Sequence, residues 1–296
     1  MYKKKITAAV CILLLAGMLA GCSGGGKTIV VGSKNFTENI VLGEIIAQMI
    51  EKNTDLKVER KLNMGGTFVC FEALKKGDIQ VYADYTGTGL TAQLKMEVIN
   101  DADKVYDIVQ EEFNKQFNLK WLRPLGFNNT YAVAINEDFA AQNNINTVSE
   151  LVPFSKDLIF GGEHEFFQRQ DGYDGMVAAY GLQFKDSVRM EPSMKYQGMG
   201  EKLMNVMDAF ATDGQLITYK LKVLEDDKSF FPPYYAAPVI RMDTLEKNPQ
   251  IESVLNKLEG QISDQEMQQM NYQADAEKKA IEAVAEEFLK SKGLIE

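Results

Sequence analysis

Four aromatic segments spread along the chain have the residue types needed to bind a positive charge. An aromatic ring attracts a cation to its face, with about 0.5–2 kcal/mol for each well-placed ring. A quaternary ammonium depends on such faces, because its methyl-covered nitrogen has no hydrogen to donate. The segments span residues 82–88, 129–131, 208–213 and 230–235. We predict that the fold brings them to one cleft, where they form a cage for such a cation.

The residue types that most catalytic and metal sites require are scarce. The chain has one histidine, His164, which stands between Glu163 and Glu165. One His with carboxylates on alternate sides is a poor metal cage, so we predict an exposed loop residue. The sequence has no Gly-x-Ser-x-Gly nucleophile elbow and no glycine-rich phosphate loop after a strand. These observations favour a binding protein without metal or cofactor; a hydrolase would need titratable groups in the cleft.

The N-terminus has the pattern of a bacterial export signal that ends in a lipid attachment site. Lysines precede an apolar run over residues 6–20, which is too short to span a membrane as a mature helix. The run ends in small residues before Cys22, and this arrangement resembles the lipobox of bacterial lipoproteins. The resemblance implies a signal peptide at 1–21, acylation of Cys22 with palmitate-type chains, and a flexible tether at 22–27. We therefore expect lipid anchoring to the outer face of the cytoplasmic membrane.

The charge of the chain argues against a nucleic-acid partner, and its cysteines argue against a disulfide bond. The formal net charge is −10 and no basic cluster occurs, which argues against nucleic acid as a partner. Of the cysteines, one leaves with the signal and Cys22 carries lipid. The remaining Cys70 has apolar neighbours at helical spacing, and we predict a buried small hydrophobic residue. No disulfide is then expected within the mature chain, which we expect to be a monomer.

The first part of the mature chain predicts alternating strands and helices. Strands are predicted at residues 28–32, 56–62 and 79–85. Between them, apolar residues repeat at helical spacing up to Asn53 and up to Gly77. Asn35 with Glu38 three residues later has the pattern of a capping box at the start of the first helix. The order βαβαβ predicts a parallel sheet with helices on both faces.

A second α/β unit is predicted after Trp121. Its extended segments are predicted at 125–135, 157–161, 208–211 and 215–224, and its helices at 172–181 and 199–207. A return strand at 236–241 and an amphipathic C-terminal helix complete the first unit. The second unit is thus inserted into the first, with crossovers near 125–131 and 224–238. Ligands of open α/β sheets bind at the carboxyl ends of strands, and the aromatic segments fall there or at the crossovers.

Spaced blocks of sequence carry a resemblance to a known family. They are IVVGSKNFTE at 29–38, MGGT at 64–67, GDI with YTGT at 77–79 and 85–88, and LEDDK through PPY at 224–234. The blocks resemble the osmoprotectant-binding lipoproteins of ABC importers, those for glycine betaine, carnitine and choline. The resemblance implies an α/β fold of the type II periplasmic-binding-protein class, with two lobes of mixed sheets joined by two crossover segments. Lobe I would comprise residues 28–127 plus 233–296, and lobe II residues 128–232.

The resemblance also implies a function and a site between the lobes. Such a protein captures a small quaternary-ammonium solute of the glycine betaine, carnitine or choline type and delivers it to an ABC permease and its ATPase subunits. The family's cage tyrosines match Tyr85, Tyr131 and Tyr234. A fourth cage position, usually Tyr, is Phe210 here, which keeps the ring face but loses the hydroxyl. Thr88 matches a position that varies with specificity, and Thr is expected in broad-range members.

Three further residues are candidates for ligand contact. Gly66 and Thr67 precede a predicted helix and could offer amide donors to a ligand carboxylate; a plain helix start is the alternative. Asp171, beside Arg169, is a candidate for ligand contact, for a hinge or for a loop salt bridge. That pair would also serve the main alternative function, an amino-acid receptor of the same fold, which needs an Arg for the carboxylate and an acid for the ammonium. An adhesion lipoprotein without a small ligand is a further alternative.

Overall fold

The structure, a computed structural model, describes residues 28–296. The predicted signal peptide at 1–21 and the tether with Cys22 at 22–27 lie outside the described residues. Over residues 28–296, no helix is both long and apolar enough to cross a membrane.

The strands of the described residues form two sheets. The strands are β1 (Thr28–Gly32), β2 (Lys57–Lys61), β3 (Val81–Tyr85), β4 (Leu119–Trp121), β5 (Tyr131–Asn136), β6 (Ile159–Glu163), β7 (Asp186–Met190), β8 (Val206–Phe210), β9 (Leu221–Leu224) and β10 (Ala236–Arg241). The first sheet has the order β2-β1-β3-β10-β4 and the second the order β7-β6-β8-β5-β9. We call the first sheet with its helices lobe I and the second sheet with its helices lobe II.

Both sheets mix parallel and antiparallel strands. In lobe I, β1 is parallel to β2 and β3, whereas β10 runs antiparallel to β3 and β4. In lobe II, β6 is parallel to β7 and β8, whereas β5 runs antiparallel to β8 and β9. The predicted βαβαβ unit and the two-lobed α/β fold are therefore confirmed.

The helices follow the strands along the chain. They are α1 (Thr37–Asn53), α2 (Thr67–Lys76), α3 (Thr86–Thr88), α4 (Ala102–Phe117), α5 (Glu137–Asn143), α6 (Val148–Leu151), α7 (Tyr173–Tyr180), α8 (Lys195–Gly200), α9 (Gln215–Thr218), α10 (Met242–Lys247), α11 (Gln250–Leu255), α12 (Asp264–Asp275) and α13 (Ile281–Ser291). A π-helical turn at Gly89–Gln93 continues α3, and 3-10 turns lie at Val152–Asp157, Phe166–Gln168, Pro192–Met194 and Asn256–Leu258. Apart from Ile40, the isoleucine, leucine, valine and methionine side chains of α1 are buried, so this helix forms the centre of the lobe I core.

The two chain segments that connect the lobes pair with each other. Asn128 and Tyr235 form an antiparallel bridge between them. Next to it, the Asn129 amide donates to the Tyr234 carbonyl at 3.1 Å. The connection between the lobes is therefore a short two-stranded ribbon rather than two independent linkers, which restricts how the lobes move relative to each other.

Two secondary-structure predictions in lobe II, one of a helix and one of an extended segment, were wrong. The predicted helix at 199–207 is instead the end of α8, a turn and the start of β8, because Lys202 adopts a left-handed backbone (φ 59°) that ends the helix. Part of the predicted extended segment 215–224 is helix α9, and Lys220 at φ 51° separates it from β9. Neither lysine belongs to a residue type that favours this conformation, so neither break could be predicted from residue type.

Candidate ligand-binding site

The rings of the four predicted cage residues lie in one cluster between the two sheets. Tyr131 is at its centre, with its ring centroid 4.8 Å from that of Phe210 and 5.5 Å from that of Tyr234. A fifth ring, that of Phe36, stacks on Phe210 at 5.2 Å and on Tyr85 at 6.1 Å. Four side chains that are far apart in the sequence are thus joined ring to ring.

The ends of strands position these rings. Tyr85 is the last residue of β3 and pairs with Ala236, the first residue of β10. Tyr131 is the first residue of β5 and pairs with Phe210, the last residue of β8. Because β5 and β8 are antiparallel, the first residue of one lies opposite the last residue of the other, which places these two rings side by side. Tyr234 comes from the connecting segment before β10.

A small cavity lies among these rings. Its volume is about 30 Å³, roughly that of one water molecule in the liquid. The predicted site residues that line it are Gly66, Thr67, Tyr85, Thr88, Tyr131 and Phe210. The other lining residues are Lys34, Asn35, Phe36, Glu163, Glu165 and Arg169. Tyr234 and Asp171 lie outside this lining, behind Tyr131 and Arg169.

Two larger cavities adjoin the small one between the lobes. They measure about 240 Å³ and about 380 Å³, and both share Asn35 and Glu163 with the small cavity. Phe36 and Phe210 line the first of them, and Gly66 and Glu165 line the second. The three cavities together define a cleft with the ring cluster in its middle.

Each cage ring already has a cation of the protein over its face. Nζ of Lys34 lies 5.0 Å from the ring centroid of Tyr85. The Arg169 guanidinium carbon lies 5.3 Å from the ring of Tyr131 and 5.8 Å from that of Tyr234. On the remaining ring, that of Phe210, the Lys195 ammonium nitrogen lies at 5.3 Å. Positive charge of the protein itself therefore lies over all four rings.

Buried carboxylates hold two of these cations in place. Nζ of Lys34 is 2.7 Å from Oδ1 of Asp84. Nζ of Lys195 is 2.6 Å from Oε1 of Glu163 and 2.8 Å from Oδ2 of Asp208. Burial disfavours the charged form of Lys195, but coulombic attraction to Asp208 and Glu163 outweighs burial and raises its pKa. Lys195 is therefore a charged structural residue of lobe II.

Arg169 and Asp171 form a buried ion pair that reaches across to lobe I. Nε of Arg169 is 2.9 Å from Oδ1 of Asp171, and Nη2 is 2.6 Å from Oδ2. Asp171 also accepts hydrogen bonds from Thr91 at 2.8 Å and from the Tyr234 hydroxyl. Burial acts to raise the pKa of Asp171, but the Arg169 charge outweighs it and lowers that pKa. With both oxygens engaged, Asp171 orients Arg169 toward Tyr131 and Tyr234.

Thr88 is buried at the edge of the cavity, in the short helix after β3. It is 3% exposed, and Nη1 of Arg169 donates to its hydroxyl at 3.4 Å. The hydroxyl thus helps to fix the guanidinium that covers Tyr131.

The start of helix α2 is occupied by a carboxylate from lobe II. The Thr67 amide donates to Oε2 of Glu165 at 2.7 Å. At position 66 a Cβ would collide with the same carboxylate oxygen, so glycine permits this approach. The Thr67 amide at the start of α2 therefore binds a carboxylate. That carboxylate is Glu165, a side chain of the protein itself.

The predicted capping box of α1 was wrong. The helix begins after Phe36 without a side-chain cap, and Glu38 is instead buried at 2% exposure between the lobes. Its carboxylate accepts hydrogen bonds from four side chains: Tyr85 at 2.7 Å, Asn129 at 2.6 Å, Asn271 at 3.1 Å, and Thr212. Burial, the largest effect, raises the pKa of Glu38 to about 7, although the hydrogen bonds oppose it.

Glu38 therefore joins lobe I, lobe II and one of the segments that connect them. Tyr85 belongs to lobe I, Thr212 follows β8 of lobe II, and Asn129 lies in a connecting segment. The same carboxylate also fixes the hydroxyl of the cage residue Tyr85. The protonation state of Glu38 thus affects both its contact with Tyr85 and the contacts between the lobes.

Two simple predictions are confirmed. The side chain of His164 is 57% exposed, as expected for a loop residue. Cys70 is a buried free cysteine in α2, and burial raises the pKa of its thiol to about 12. Over residues 28–296, no group of three or more His, Cys, Asp or Glu side chains has an arrangement that could hold a metal ion.

Four residues that line the cavity, Phe36, Lys34, Glu163 and Glu165, were not predicted as site residues. Phe36 and Lys34 lie just after β1, at the carboxyl end of a strand. The rule that placed the other rings, that ligands bind at such ends, would have found both of them. Both glutamates flank the lone histidine and were considered only as metal ligands.

Comparison with known proteins agrees with this architecture. The family model "Substrate binding domain of ABC-type glycine betaine transport system" matches residues 27–291. The chain is 37% identical over 304 residues to the carnitine transport binding protein of Listeria monocytogenes, covering 99% of each. It is 38% identical over 269 residues to the ergothioneine transport permease/ergothioneine binding protein of Helicobacter pylori, covering 90% of this chain and 48% of that protein.

A solved structure supports the same relationship. The crystal structure of a glycine betaine/carnitine/choline ABC transporter superposes with a TM-score of 0.74 at 34% identity, covering 90% of this chain and 100% of the solved one. The family model covers most of the chain, and relatives above 30% identity align along nearly all of it. The chain therefore belongs to the family of substrate-binding domains of ABC-type glycine betaine transport systems, whose members are solute-binding proteins and not enzymes.

Proposed function

We propose that this protein captures quaternary-ammonium compatible solutes, of the glycine betaine, carnitine or choline type, in the aromatic cluster between its lobes. The observation that carries the proposal is the convergence of Tyr85 from lobe I with Tyr131 and Phe210 from lobe II on one cavity. Tyr234 supports Tyr131 from behind, with its ring perpendicular to it (87°). A donor-free cation suits such a surface better than any other common charged group.

Capture requires the lobes to separate and close. A cavity of about 30 Å³ cannot admit a trimethylammonium group, so the solute enters an open form. The cage faces come from both lobes, and closure over the cation excludes water and strengthens the cation–π attraction. The solute contributes to closure only through its greater affinity for the closed form. The pairing of Asn128 with Tyr235 supports a hinge at the proposed boundaries, lobe I at 28–127 plus 233–296 and lobe II at 128–232.

The closed protein would deliver its solute to an ABC permease that its ATPase subunits drive. The lipobox-like sequence supports acylation of Cys22 and attachment to the outer face of the cytoplasmic membrane. One copy contains the whole proposed cage, so we propose that the protein acts as a monomer. Position 88 is Thr rather than an acid, which favours a protein that binds several of these solutes over one restricted to choline.

The binding of a solute panel tests this function. By calorimetry we expect saturable binding of at least one trimethylammonium solute among glycine betaine, carnitine, choline and ergothioneine. Glycine should not compete, because its ammonium would lose its hydrogen bonds to water against the ring faces. Preferential binding of glycine would support the amino-acid receptor instead, and the absence of any binding would favour an adhesion role.

The contacts of Arg169 and Asp171 do not favour the amino-acid alternative. Such a receptor needs an arginine that is free to clamp a carboxylate and an acid that is free to bind an ammonium. Here the two side chains neutralise each other, with Nη2 and Oδ2 2.6 Å apart. To bind an amino acid, Arg169 and Asp171 would have to break this ion pair. Each charge would then be buried without its partner until the amino acid replaced it.

A further inference from the structure

A turn of lobe II rests on a helix of lobe I, apart from the rings of the cluster. The turn lies between β8 and α9, and the helix that it meets is α12. The Asn271 side chain donates to the Thr212 carbonyl at 3.0 Å, and the Gln215 side chain donates to Asp275 at 3.4 Å. Residues 211–215 and 271–275 thus join the two lobes, and we call this the turn–helix contact.

The two backbones of the turn–helix contact come closest at Gly214. A Cβ added at this position would lie 2.6 Å from the amide nitrogen and 2.7 Å from Cα of Tyr272. Both are backbone atoms of a packed helix, which cannot turn aside as the end of a flexible side chain does. A residue other than glycine at position 214 therefore keeps the turn and α12 farther apart than they are here.

The backbone conformation at position 214 does not itself require glycine. Its φ is −66° and its ψ is −24°, in the right-handed helical region that alanine also adopts. The close approach between the lobes is therefore the feature that needs glycine here. Alanine at this position fits the turn of lobe II and disturbs only the approach of that turn to lobe I.

The turn–helix contact lies at a distance from the ribbon that connects the lobes. Helix α12 begins at Asp264, whose carboxylate accepts the amide of Asn128 in the ribbon at 2.8 Å. Tyr272 lies about 12 Å further along this helix, at a rise of about 1.5 Å per residue. Rotation of the lobes about the ribbon therefore changes the separation at Gly214, whereas the start of α12 stays beside the ribbon.

We propose that Gly214 is a positioning residue for solute capture, because it permits the turn to reach α12 and so completes the closed form. The inference rests on the lobe closure of the proposed function, but not on the identity of the solute. A side chain at position 214 acts as a wedge that lowers the closed fraction of the protein. When only the closed form binds tightly, apparent affinity falls with that fraction, so every solute loses affinity by the same factor.

Calorimetry on Gly214→Ala tests this role. We expect the affinities for glycine betaine and choline both to fall about tenfold, as for a side chain forced into a packed contact, with their ratio unchanged. Gly198→Ala is the matched control in lobe II, because a Cβ there would meet only side-chain atoms of Met204 at 3.3 Å and Met190 at 3.5 Å. It should leave both affinities unchanged. Unchanged affinities in Gly214→Ala, or a fall for one solute alone, overturn the proposal.

Small-angle X-ray scattering without solute gives a second test. The wedge should make the radius of gyration of Gly214→Ala larger than that of the unmodified protein, whereas Gly198→Ala should match the unmodified protein. Equal radii in all three proteins would show that position 214 does not limit closure, and would also overturn the inference. If the unmodified protein bound neither solute, the proposed function would fail, and the scattering would still decide the role of Gly214.

Discussion

Replacing Tyr131 by leucine should weaken the binding of glycine betaine at least about tenfold, or about 1.4 kcal/mol. Tyr131 is the central ring of the cluster and contacts both Phe210 and Tyr234. Leucine keeps apolar volume at this position but has no ring face. The variant therefore loses the cation–π attraction, about 0.5–2 kcal/mol for one ring, and also the edge that shields the cation from water. Isothermal titration calorimetry measures the change directly.

Two controls separate loss of the ring from general damage. Tyr180 in α7 is as buried as Tyr131, 4% against 5% exposed, and lies in the same lobe with its hydroxyl on Asp226. Tyr180→Leu should therefore bind glycine betaine with nearly unchanged affinity. Tyr131→Phe keeps the ring and should retain most of the affinity. An equal loss in the two leucine variants would contradict the assignment of Tyr131 to a cage.

Replacing Glu38 by glutamine should remove a dependence of stability on pH. The pKa of Glu38 is about 7 in the folded protein against a usual value of 4.5, so the folded protein binds this proton more tightly than the unfolded chain. The stability that the neutral carboxyl provides is complete below about pH 4.5 and is lost as the pH rises through about 7. This difference between the pKa values of Glu38 in the folded and unfolded states contributes on the order of 3 kcal/mol to the free energy of unfolding.

Chemical denaturation at a series of pH values tests this expectation. The difference in the free energy of unfolding between Glu38→Gln and the unmodified protein should increase from about pH 5 to about pH 8, by up to about 3 kcal/mol in favour of the variant. Glu259→Gln is the control, because this side chain is 57% exposed and should leave the pH profile unchanged. Parallel profiles for the unmodified protein and Glu38→Gln would mean that Glu38 stays charged in the fold.

The clustering of the four rings could be predicted from the sequence because the residues share a local property. Tyr85 and Phe210 end strands, and Tyr131 begins one that runs antiparallel to its neighbour. Strand position is readable from alternation and flanking residues, and the α/β order then predicts which ends meet. Tyr234 was correctly placed beside Tyr131, although it lies behind the cavity rather than in its lining.

The polar contacts between the lobes could not be predicted in the same way. Glu38 has the spacing of a capping box, a pattern that local sequence cannot distinguish from a buried tertiary role. Its partners Asn129, Thr212 and Asn271 lie 91, 174 and 233 residues away in the chain. Glu165 likewise contacts Thr67 over 98 residues. Contacts of this kind depend on how the lobes close, which no periodicity encodes.

The most direct test of the central proposal is the affinity for a methylation series on one carboxylate scaffold. Glycine, N-methylglycine, N,N-dimethylglycine and glycine betaine keep the same carboxylate and differ only in how many donors remain on the nitrogen. Ring faces bind a cation better when its nitrogen has no N–H donors that must lose their hydrogen bonds to water. Affinity measured by calorimetry should therefore rise at each step and be greatest for the trimethylated compound. Affinity that is constant or falls along the series would contradict an aromatic cage for quaternary ammonium solutes.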